Sequence, residues 1–211
     1  MSELILLCCP EEVDESRRFG LRIACAAWRV GNDGRLWRCP LPELPRGSIM
    51  AVFGGADSGL PAADISAECA RLNIDEVLCF NASSLLSGLK KYKLYAPIST
   101  AISGGSLAQR FAGEKNAFIE PCREYFSLPS HSGSGTPISA GQLKNFIAIA
   151  RCTGFSAELG CKYAFSAEGC VLYDDLETVR RKTEILGELG VERIVLPYAS
   201  PSVRAFLRSR P

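Results

Sequence analysis

The stretch from Val171 to Ser200, VLYDDLETVRRKTEILGELGVERIVLPYAS, predicts one helix followed by one buried strand. Asp174 is a suitable N-cap residue, and Glu177 three positions later completes an Asp-x-x-Glu capping pattern. Gly190 lies where a helix commonly ends in the left-handed conformation. Arg193 to Tyr198 is a short apolar run, which is typical of a parallel strand covered on both faces. The stretch therefore predicts a helix-to-strand unit of a parallel sheet.

The same junction occurs a second time, far upstream. Leu72 to Leu78, LNIDEVL, aligns with Leu189 to Val195, LGVERIV. In both copies a leucine ends the helix, Asn73 or Gly190 can adopt the left-handed cap, and an apolar residue follows. Repeated helix-to-strand units favour a parallel sheet.

Length and composition narrow the class of protein. The 211 residues suffice for one domain with a substantial core. Hydrophobic residues make up 47% and charged residues 22%, as is ordinary for a soluble globular protein. The net charge of +1 provides no field to attract nucleic acid or an acidic membrane, so we expect neither partner. Residues 1–12, MSELILLCCPEE, have only a short apolar run followed by acids, and no apolar stretch has the length of a bilayer span, so we expect neither a signal peptide nor a membrane span.

Ten cysteines are scattered along the chain, without a Cys-x-x-Cys pair and with one histidine. This spacing argues against a zinc site, and we expect neither a metal nor a cofactor. Cys25, Cys69, Cys79 and Cys152 lie in apolar runs, where a free thiol acts as a small hydrophobic side chain. We therefore expect a cytoplasmic, reducing location.

Strands and helices alternate from Ser48 onward. The predicted strands are 49–53, 77–80, 94–99, 117–122, 155–162 and 193–198. This pattern predicts an α/β fold with parallel strands, in which residues 46–211 form a small or incomplete TIM-like (β/α) barrel. Residues 1–45 are then an N-terminal strand and β-hairpin extension. A doubly wound open sheet is the alternative, and in either fold ligands bind beyond the C-terminal ends of the strands.

A hairpin is predicted around the turn signal Gly31-Asn32-Asp33-Gly34. If Val30 pairs with Arg35, Trp28 faces Trp37 across the two strands as an aromatic pair. Such a pair is either a structural clamp on a twisted hairpin or an exposed platform for a sugar ring or a partner.

Polar residues near the predicted strand ends are the candidates for a site. Glu120 lies near the end of the predicted strand 117–122, and Glu158 lies on the face of another strand that is expected to point into the barrel. Partial desolvation in a barrel mouth raises the pKa of a carboxyl, which makes it a general acid near neutral pH. Glu120 and Glu158 are the candidate catalytic residues, and a structural ion pair of Glu158 with Lys162 or Arg123 is the alternative. The candidate ligand-binding residues are Asp57, Asn81, Thr100, Ser103, Arg123, Lys162 and Tyr198.

Two further stretches carry weaker signals. Ser103-Gly104-Gly105-Ser106 precedes a predicted helix, so it is either a plain helix cap or a pocket for an anion. His131 lies in a Ser/Gly/Pro loop, and the sequence lacks the Gly-x-Ser-x-Gly motif of many hydrolases. We expect His131 to be exposed to solvent.

Residues 163–198 resemble the late barrel segment of family 18 glycoside hydrolases, the chitinase-like (β/α) barrels. The similarity lies in Tyr163-Ala164-Phe165, Tyr173-Asp174-Asp175, a helix carrying Lys182, and Gly190-Val191 before the last strand. The resemblance implies a TIM-like barrel with a carbohydrate-type small ligand or glycan at the C-terminal ends of its strands.

This sequence also departs from the pattern of that family, whose catalytic Glu lies on the fourth strand. If strand 117–122 is the counterpart, Glu120 has the position of the acid, but Phe118 replaces an assisting aspartate. Leu196-Pro197-Tyr198 lacks the usual tryptophan. The resemblance thus implies weak or no glycosidase activity, with Glu158 supporting Glu120. The alternatives are a non-catalytic interaction protein that uses the Trp28/Trp37 hairpin to contact a partner or a second copy, and a phosphate-ligand barrel enzyme that uses residues 103–106.

Overall fold

The computed structural model describes residues 2–54, 62–80, 89, 91–101, 106–128 and 135–210. The strands are β1 (Glu3–Cys8), β2 (Arg22–Val30), β3 (Leu36–Arg38), β4 (Ile49–Phe53), β5 (Glu76–Phe80), β6 (Lys93–Tyr95), β7 (Ile98–Ser99), β8 (Asn116–Phe118), β9 (Arg123–Ser127), β10 (Thr136–Pro137), β11 (Cys152–Ser156), β12 (Cys161–Phe165), β13 (Gly169–Tyr173) and β14 (Arg193–Pro197). The α-helices are α1 (Val13–Ser16), α2 (Ala62–Leu72), α3 (Leu107–Arg110), α4 (Ala140–Ile149), α5 (Leu176–Glu188) and α6 (Pro201–Arg208).

Parallel strands form one large sheet in the order β6-β5-β4-β2-β1-β14-β8-β7. Its two edge strands, β6 and β7, follow each other in the chain with only Ala96 and Pro97 between them. One extended segment therefore pairs with β5 through its first half and with β8 through its second half. This brings the two edges of the sheet together and curls it into an incomplete TIM-like barrel, as the sequence predicts.

The barrel wall is apolar on both faces, because successive side chains of a strand point to opposite sides. On β1, Ile5 and Leu7 belong to the inner cluster, whereas Leu6 and Cys8 belong to the outer one. The inner cluster is made of Ile5, Leu7, Ala24, Ile49, Ala51, Leu78, Phe80, Tyr95 and Val195. The outer cluster includes residues of α2, α5 and α6, so these helices cover the wall from outside.

The N-terminal segment contributes to the barrel itself, since β1 and β2 lie between β14 and β4 in the sheet. The hairpin extension is limited to β3, which pairs antiparallel with the end of β2. The predicted register of this hairpin is wrong by one residue: Val30 pairs with Leu36 rather than with Arg35. A shift of one residue moves a side chain to the other face. Trp28 is therefore buried (1% exposed), whereas Trp37 is 61% exposed.

A second, antiparallel sheet is inserted between β8 and α5, with the order β10-β9-β13-β12-β11. The prediction of one barrel strand over residues 155–162 is wrong, because these residues belong to this second sheet. They form parts of β11 and β12, which pair antiparallel from Ser156 and Cys161 outward. The turn between them includes Gly160 at φ +64°, a left-handed conformation that favours glycine.

Both predicted helix ends adopt the left-handed cap, Asn73 at φ +54° and Gly190 at φ +84°. The apolar residue after each cap, Ile74 or Val191, donates its backbone N–H to a carbonyl of the last helical turn. The start of α5 differs from the prediction, since Asp175 is the N-cap and accepts hydrogen bonds from the N–H groups of Glu177 and Thr178. Asp174 is consequently left outside the cap.

All ten cysteines lie in the described part of the chain and are free thiols. Burial raises the pKa of Cys8 to about 12 and that of Cys79 to about 11. These two thiols stay protonated and act as apolar side chains of the outer cluster. Among the helices of the described ranges, none has the length and apolarity that crossing a membrane requires.

Candidate functional site

A cavity of about 480 Å³ opens at the C-terminal ends of the barrel strands, where the fold predicts a site. We call it the mouth cavity. The last residue of each of five strands contributes to it. Its lining residues are Phe53, Phe80, Pro97, Ser99, Phe118, Glu120, Pro121, Pro197 and Ser200.

Three phenylalanines form the apolar wall of the mouth cavity. The rings of Phe53 and Phe80 stack with their centroids 4.6 Å apart and their planes 5° from parallel. Phe118 meets Phe80 edge to face at 5.3 Å. None of the three is among the predicted site residues, although β4, β5 and β8 each end in phenylalanine. Aromatic faces of this kind bind apolar faces of ligands, including the C–H faces of sugar rings.

Glu120 contributes a carboxylate to the mouth cavity and is held in place by its neighbours. The hydroxyl of Ser99 donates a hydrogen bond to Glu120 Oε2 at 2.5 Å, and the backbone N–H of Ala101 donates to the Ser99 oxygen at 2.9 Å. The backbone N–H of Glu120 donates to Thr100 Oγ1 at 3.0 Å. Thr100 is buried, so it anchors the backbone of Glu120 rather than facing the cavity.

Arg110, from α3, fixes the segment that runs from Ser99, the last residue of β7, to Ala101. Its guanidinium donates to the backbone carbonyls of Ser99 and Ala101. Burial lowers the pKa of Arg110, while the nearby charge of Glu120 acts in the opposite direction. Arg110 therefore holds Ser99, which in turn holds the carboxylate of Glu120. No short sequence motif predicts this role.

Glu158 is not in the mouth cavity. It lies exposed in the turn between β11 and β12, where its backbone carbonyl accepts a hydrogen bond from Leu107 N–H at 2.8 Å. Among the residues that line the mouth cavity, Glu120 is the sole carboxylate. The two predicted catalytic residues are thus not brought together.

Lys162 lies on β12 and pairs with two carboxylates at the start of α5. Its Nζ is 2.8 Å from Asp175 Oδ2 and 2.6 Å from Glu177 Oε2. Burial by itself lowers the pKa of Lys162, but these two carboxylates outweigh it and raise that pKa. The predicted alternative, an ion pair between Lys162 and Glu158, is absent from the described ion pairs.

The remaining predicted residues are distributed over several places. Tyr198 is fully buried on the outer side of the wall, with its ring 5.9 Å from that of Phe19. Arg123 begins β9 and lines a smaller cavity beside the mouth cavity. Asp57, Asn81 and Ser103 lie outside the described residues, as does His131. Ser106, at the end of the Ser/Gly stretch, is the N-cap of α3 and accepts from Gln109 N–H.

The chain order of the strands shows that the predicted strand 117–122 is not the counterpart of the family's fourth strand. The fourth parallel strand in the chain is β5, and β8 comes later. No Asp or Glu occurs in the sequence between Glu76, at the start of β5, and Glu114. The resemblance leads us to expect a catalytic acid at the end of the fourth strand, and the sequence has none there. Glu120 instead follows a later strand, β8.

A buried ion pair that the sequence analysis missed lies beside the mouth cavity. Lys182 Nζ is 2.6 Å from Asp174 Oδ2, and both side chains are fully buried at 0% exposure. The backbone N–H of Cys122 donates to the same oxygen at 2.8 Å. The pair ties α5 to the segment that follows β8. Asp174 precedes the N-cap of α5, so helical spacing from Lys182 does not reveal the pair in the sequence.

A further hollow of about 620 Å³ adjoins the ends of β1, β2 and β3. It contains Arg29 and Glu11, together with Cys9 and Cys39. Arg29 pairs in register with Phe53, so this hollow and the mouth cavity open at the same end of the barrel.

Comparison with known proteins shows similarity in fold but not in sequence. No family model and no curated protein sequence match the chain. Among solved structures, the Bacillus cereus spore cortex-lytic enzyme SleL matches with a TM-score of 0.63 and 10% identity, over 98% of this chain and 73% of that one. A family 18 chitinase from Cycas revoluta, in complex with allosamidin, matches with a TM-score of 0.58 and 12% identity, over 98% and 97%. A class V chitinase from Nicotiana tobaccum matches with a TM-score of 0.58 and 10% identity, over 99% and 98%.

These similarities show that the chain shares its fold with the spore cortex-lytic enzyme and the chitinase structures, and they confirm a distant chitinase-like resemblance. At 10–12% identity they establish the architecture alone.

Proposed function

We propose that this protein binds a carbohydrate-type ligand in the mouth cavity and hydrolyses it weakly or not at all. The observation that carries the proposal is the combination of three phenylalanine rings with one oriented carboxylate at the strand ends. Aromatic rings bind the C–H faces of a sugar, and Glu120 accepts hydrogen bonds from its hydroxyl groups. Solved structures with this fold include complexes with (GlcNAc)4 and (GlcNAc)3, which supports a sugar as the ligand class.

Among the described residues that line the mouth cavity, Glu120 is not accompanied by a second carboxylate, which favours binding over turnover. Most glycoside hydrolases use two carboxyl groups on either side of the scissile bond, whereas the family that this chain resembles pairs its catalytic Glu with an assisting aspartate, where this sequence has Phe118. Of the residues lining the mouth cavity, Glu120 alone supplies one, and Glu158 lies in a turn of the second sheet. Glu120 remains the proposed acid for any residual hydrolysis.

Calorimetric titration with (GlcNAc)4 tests the proposal. We expect the wild-type protein to bind and Phe118→Ala to bind about tenfold more weakly, a loss of about 1.4 kcal/mol. Phe165→Ala is the matched control, because Phe165 is a surface phenylalanine of the second sheet. An unchanged affinity of the Phe118 variant, or no binding by the wild type, would contradict the proposal.

Hydrolysis of the same probe is measured separately. If residual turnover is detected, Glu120→Gln should abolish it, since Gln cannot donate the proton. Turnover that survives this change would remove Glu120 from the proposed mechanism while leaving the binding proposal intact.

The exposure of Trp37 favours a second candidate function, contact with a partner or a second copy. Trp28 is buried, so the platform is reduced to Trp37, which is 61% exposed. Sedimentation of the wild type and of Trp37→Ala tests self-association. A monomer in both cases would exclude a second copy as the partner.

A further inference from the structure

Two accessible cysteines, Cys9 and Cys39, line the hollow of about 620 Å³ at the ends of β1, β2 and β3. We call it the thiol hollow. Cys9 is partly buried and Cys39 is exposed, whereas the nearby Cys8 and Cys25 are fully buried in the outer cluster. All four thiols are free. Small molecules in solution can therefore reach the pair in the hollow, while the wall shields the other two.

The pairing of the strands brings the chain segments of this pair together. Residues 24–25 of β2 pair with both β1 and β4, and residues 28–29 pair with both β3 and β4. Because a strand has two edges and β4 occupies one of them, β1 and β3 lie on the same edge of β2. β1 is parallel to β2 and β3 is antiparallel to it, so the two strands run toward each other.

Each cysteine of the pair directly follows the end of one of these strands. Extending β1 by one residue places Cys9 beside Ala26, which also lines the thiol hollow. The backbone N–H of Cys39 donates to the carbonyl of Ala27 at 2.9 Å, so Cys39 lies beside Ala27. Neighbouring positions along a strand are about 3.3 Å apart, and the Cα atoms of a disulfide are about 4.4–6.8 Å apart. The two cysteines therefore lie within reach of a shared S–S bond.

Their surroundings give the two thiols different roles. Burial raises the pKa of Cys9, and nearby charges, including that of a Cys39 thiolate, raise it further. Cys39 is exposed, so it is the thiol that an oxidant meets first. Arg29 also lines the hollow, and a guanidinium stabilises the negative charge of an attacking or departing thiolate. The volume of the hollow is that of a small-molecule site, which leaves room for a small disulfide reagent.

We infer that Cys9 and Cys39 form a redox site, in which a small-molecule disulfide such as glutathione disulfide converts the two thiols into one intramolecular disulfide. The Cys39 thiolate attacks one sulfur of glutathione disulfide, breaks its S–S bond and releases one glutathione. The Cys9 thiolate then attacks the Cys39 sulfur of this mixed disulfide and releases the second glutathione. Two protein thiols and one glutathione disulfide become one protein disulfide and two molecules of glutathione, which take up the two thiol protons.

Mass spectrometry after exposure of the reduced protein to glutathione disulfide tests the inference. The remaining thiols are blocked with N-ethylmaleimide before digestion with trypsin. We expect a product that joins peptide 1–17, which contains Cys9, to peptide 39–46, which contains Cys39. Fragmentation of the joined peptides distinguishes Cys9 from the adjacent Cys8. A bond from Cys39 to Cys8 or Cys25, or no bond to Cys39 at all, would overturn the inference.

Single substitutions separate the two steps of the exchange. Cys9→Ser removes the second thiol, so Cys39 should accumulate the mixed disulfide and gain the mass of one glutathionyl group. Cys39→Ser should abolish the bond. Cys152→Ser is the matched control, because Cys152 is also exposed but lies on β11 of the second sheet, and this variant should form the bond as the wild type does. Absence of the mixed disulfide from Cys39 in Cys9→Ser would overturn the assigned order of attack.

The melting temperature shows whether the folded protein accommodates the bond. A disulfide between residues 9 and 39 closes a loop in the unfolded chain and lowers its entropy. We expect the oxidised protein to melt about 5 °C above the reduced one, and dithiothreitol should reverse the shift. Cys39→Ser should show no shift under the same treatment. A wild-type melting temperature that fails to rise would mean that the bond strains the fold, which would overturn the inference that the two residues are positioned for it.

Discussion

Two adjacent aspartates at the start of α5 have entirely different roles. Asp175 caps the helix and pairs with Lys162, whereas Asp174 is buried against Lys182. Either residue can cap a helix by its chemistry, so the sequence does not distinguish them. The structure does, because capping by Asp175 points the preceding carboxylate toward the interior, where Lys182 arrives two turns later.

At this scale we predict that Asp174→Asn alone destabilises the protein by about 3–5 kcal/mol, because it leaves the buried Lys182 without its counter-ion. Urea unfolding at pH 7 measures the change. The variant that also carries Lys182→Met should recover most of the loss, since a neutral, well-packed pair has no charge to desolvate. A cost below about 1 kcal/mol for Asp174→Asn would show that the ion pair does not support the fold.

Individual elements are connected by specific polar contacts, and the clearest joins the β2–β3 hairpin to α2. Glu68 accepts hydrogen bonds from Trp28 Nε1 at 3.3 Å and from Arg38 at 3.1 Å. Arg71 binds the same carboxylate from within α2. Trp28 is therefore a structural anchor of the hairpin, the first of the two roles that its aromatic character suggests.

Acid should weaken this connection. The hydrogen bond from Arg71, with those from Trp28 and Arg38, lowers the pKa of Glu68 from 4.5 to about 2. The unfolded chain thus takes up the proton first, and the stability that Glu68 contributes is present above about pH 4.5 and is lost as the pH falls toward 2. Glu68→Gln should cost about 1 kcal/mol at pH 7 and flatten the decline in melting temperature below pH 4.5. A parallel decline in both proteins would contradict this.

The whole molecule depends on strands that meet from distant parts of the chain. Phe53, Phe80 and Phe118 come from β4, β5 and β8, yet they form one aromatic cluster because the sheet curls. The segment 93–99 closes this curl by pairing with β5 at one end and with β8 at the other. On the outer face of the same wall, protonated thiols from β1, β2, α2 and β5 pack beneath the helices.

At this scale we predict a loss of stability at high pH. Burial raises the pKa of Cys25, Cys69 and Cys79 from 9.0 to about 11, and that of Cys8 to about 12. Above pH 9 the unfolded chain releases these protons and the folded protein does not, so unfolding becomes more favourable as the pH rises from 9 to 11. Melting temperatures between pH 8 and 10.5 should fall, and Cys79→Ala should show a shallower fall. A slope unaffected by removing this thiol would exclude its contribution.

The sequence by itself determined the parallel (β/α) architecture, because a helix cap followed by an apolar strand is a local pattern. Asn73 and Gly190 adopt the conformations that pattern requires. It placed Glu120 within a strand over residues 117–122, but β8 ends at Phe118, so Glu120 lies two residues beyond the strand. It placed Glu158 and the Trp28/Trp37 pair incorrectly, because a turn at Gly160 and a slip of one residue in a hairpin reverse which face a side chain occupies.

Only the tertiary structure decided what lies beside Glu120. The phenylalanine cluster, the segment 99–101 fixed by Arg110 and the ion pair of Asp174 with Lys182 are assembled from segments far apart in sequence, and no local propensity encodes their proximity. Their positions follow from the closing of the sheet between β6 and β7, which depends on the pairing of every strand at once.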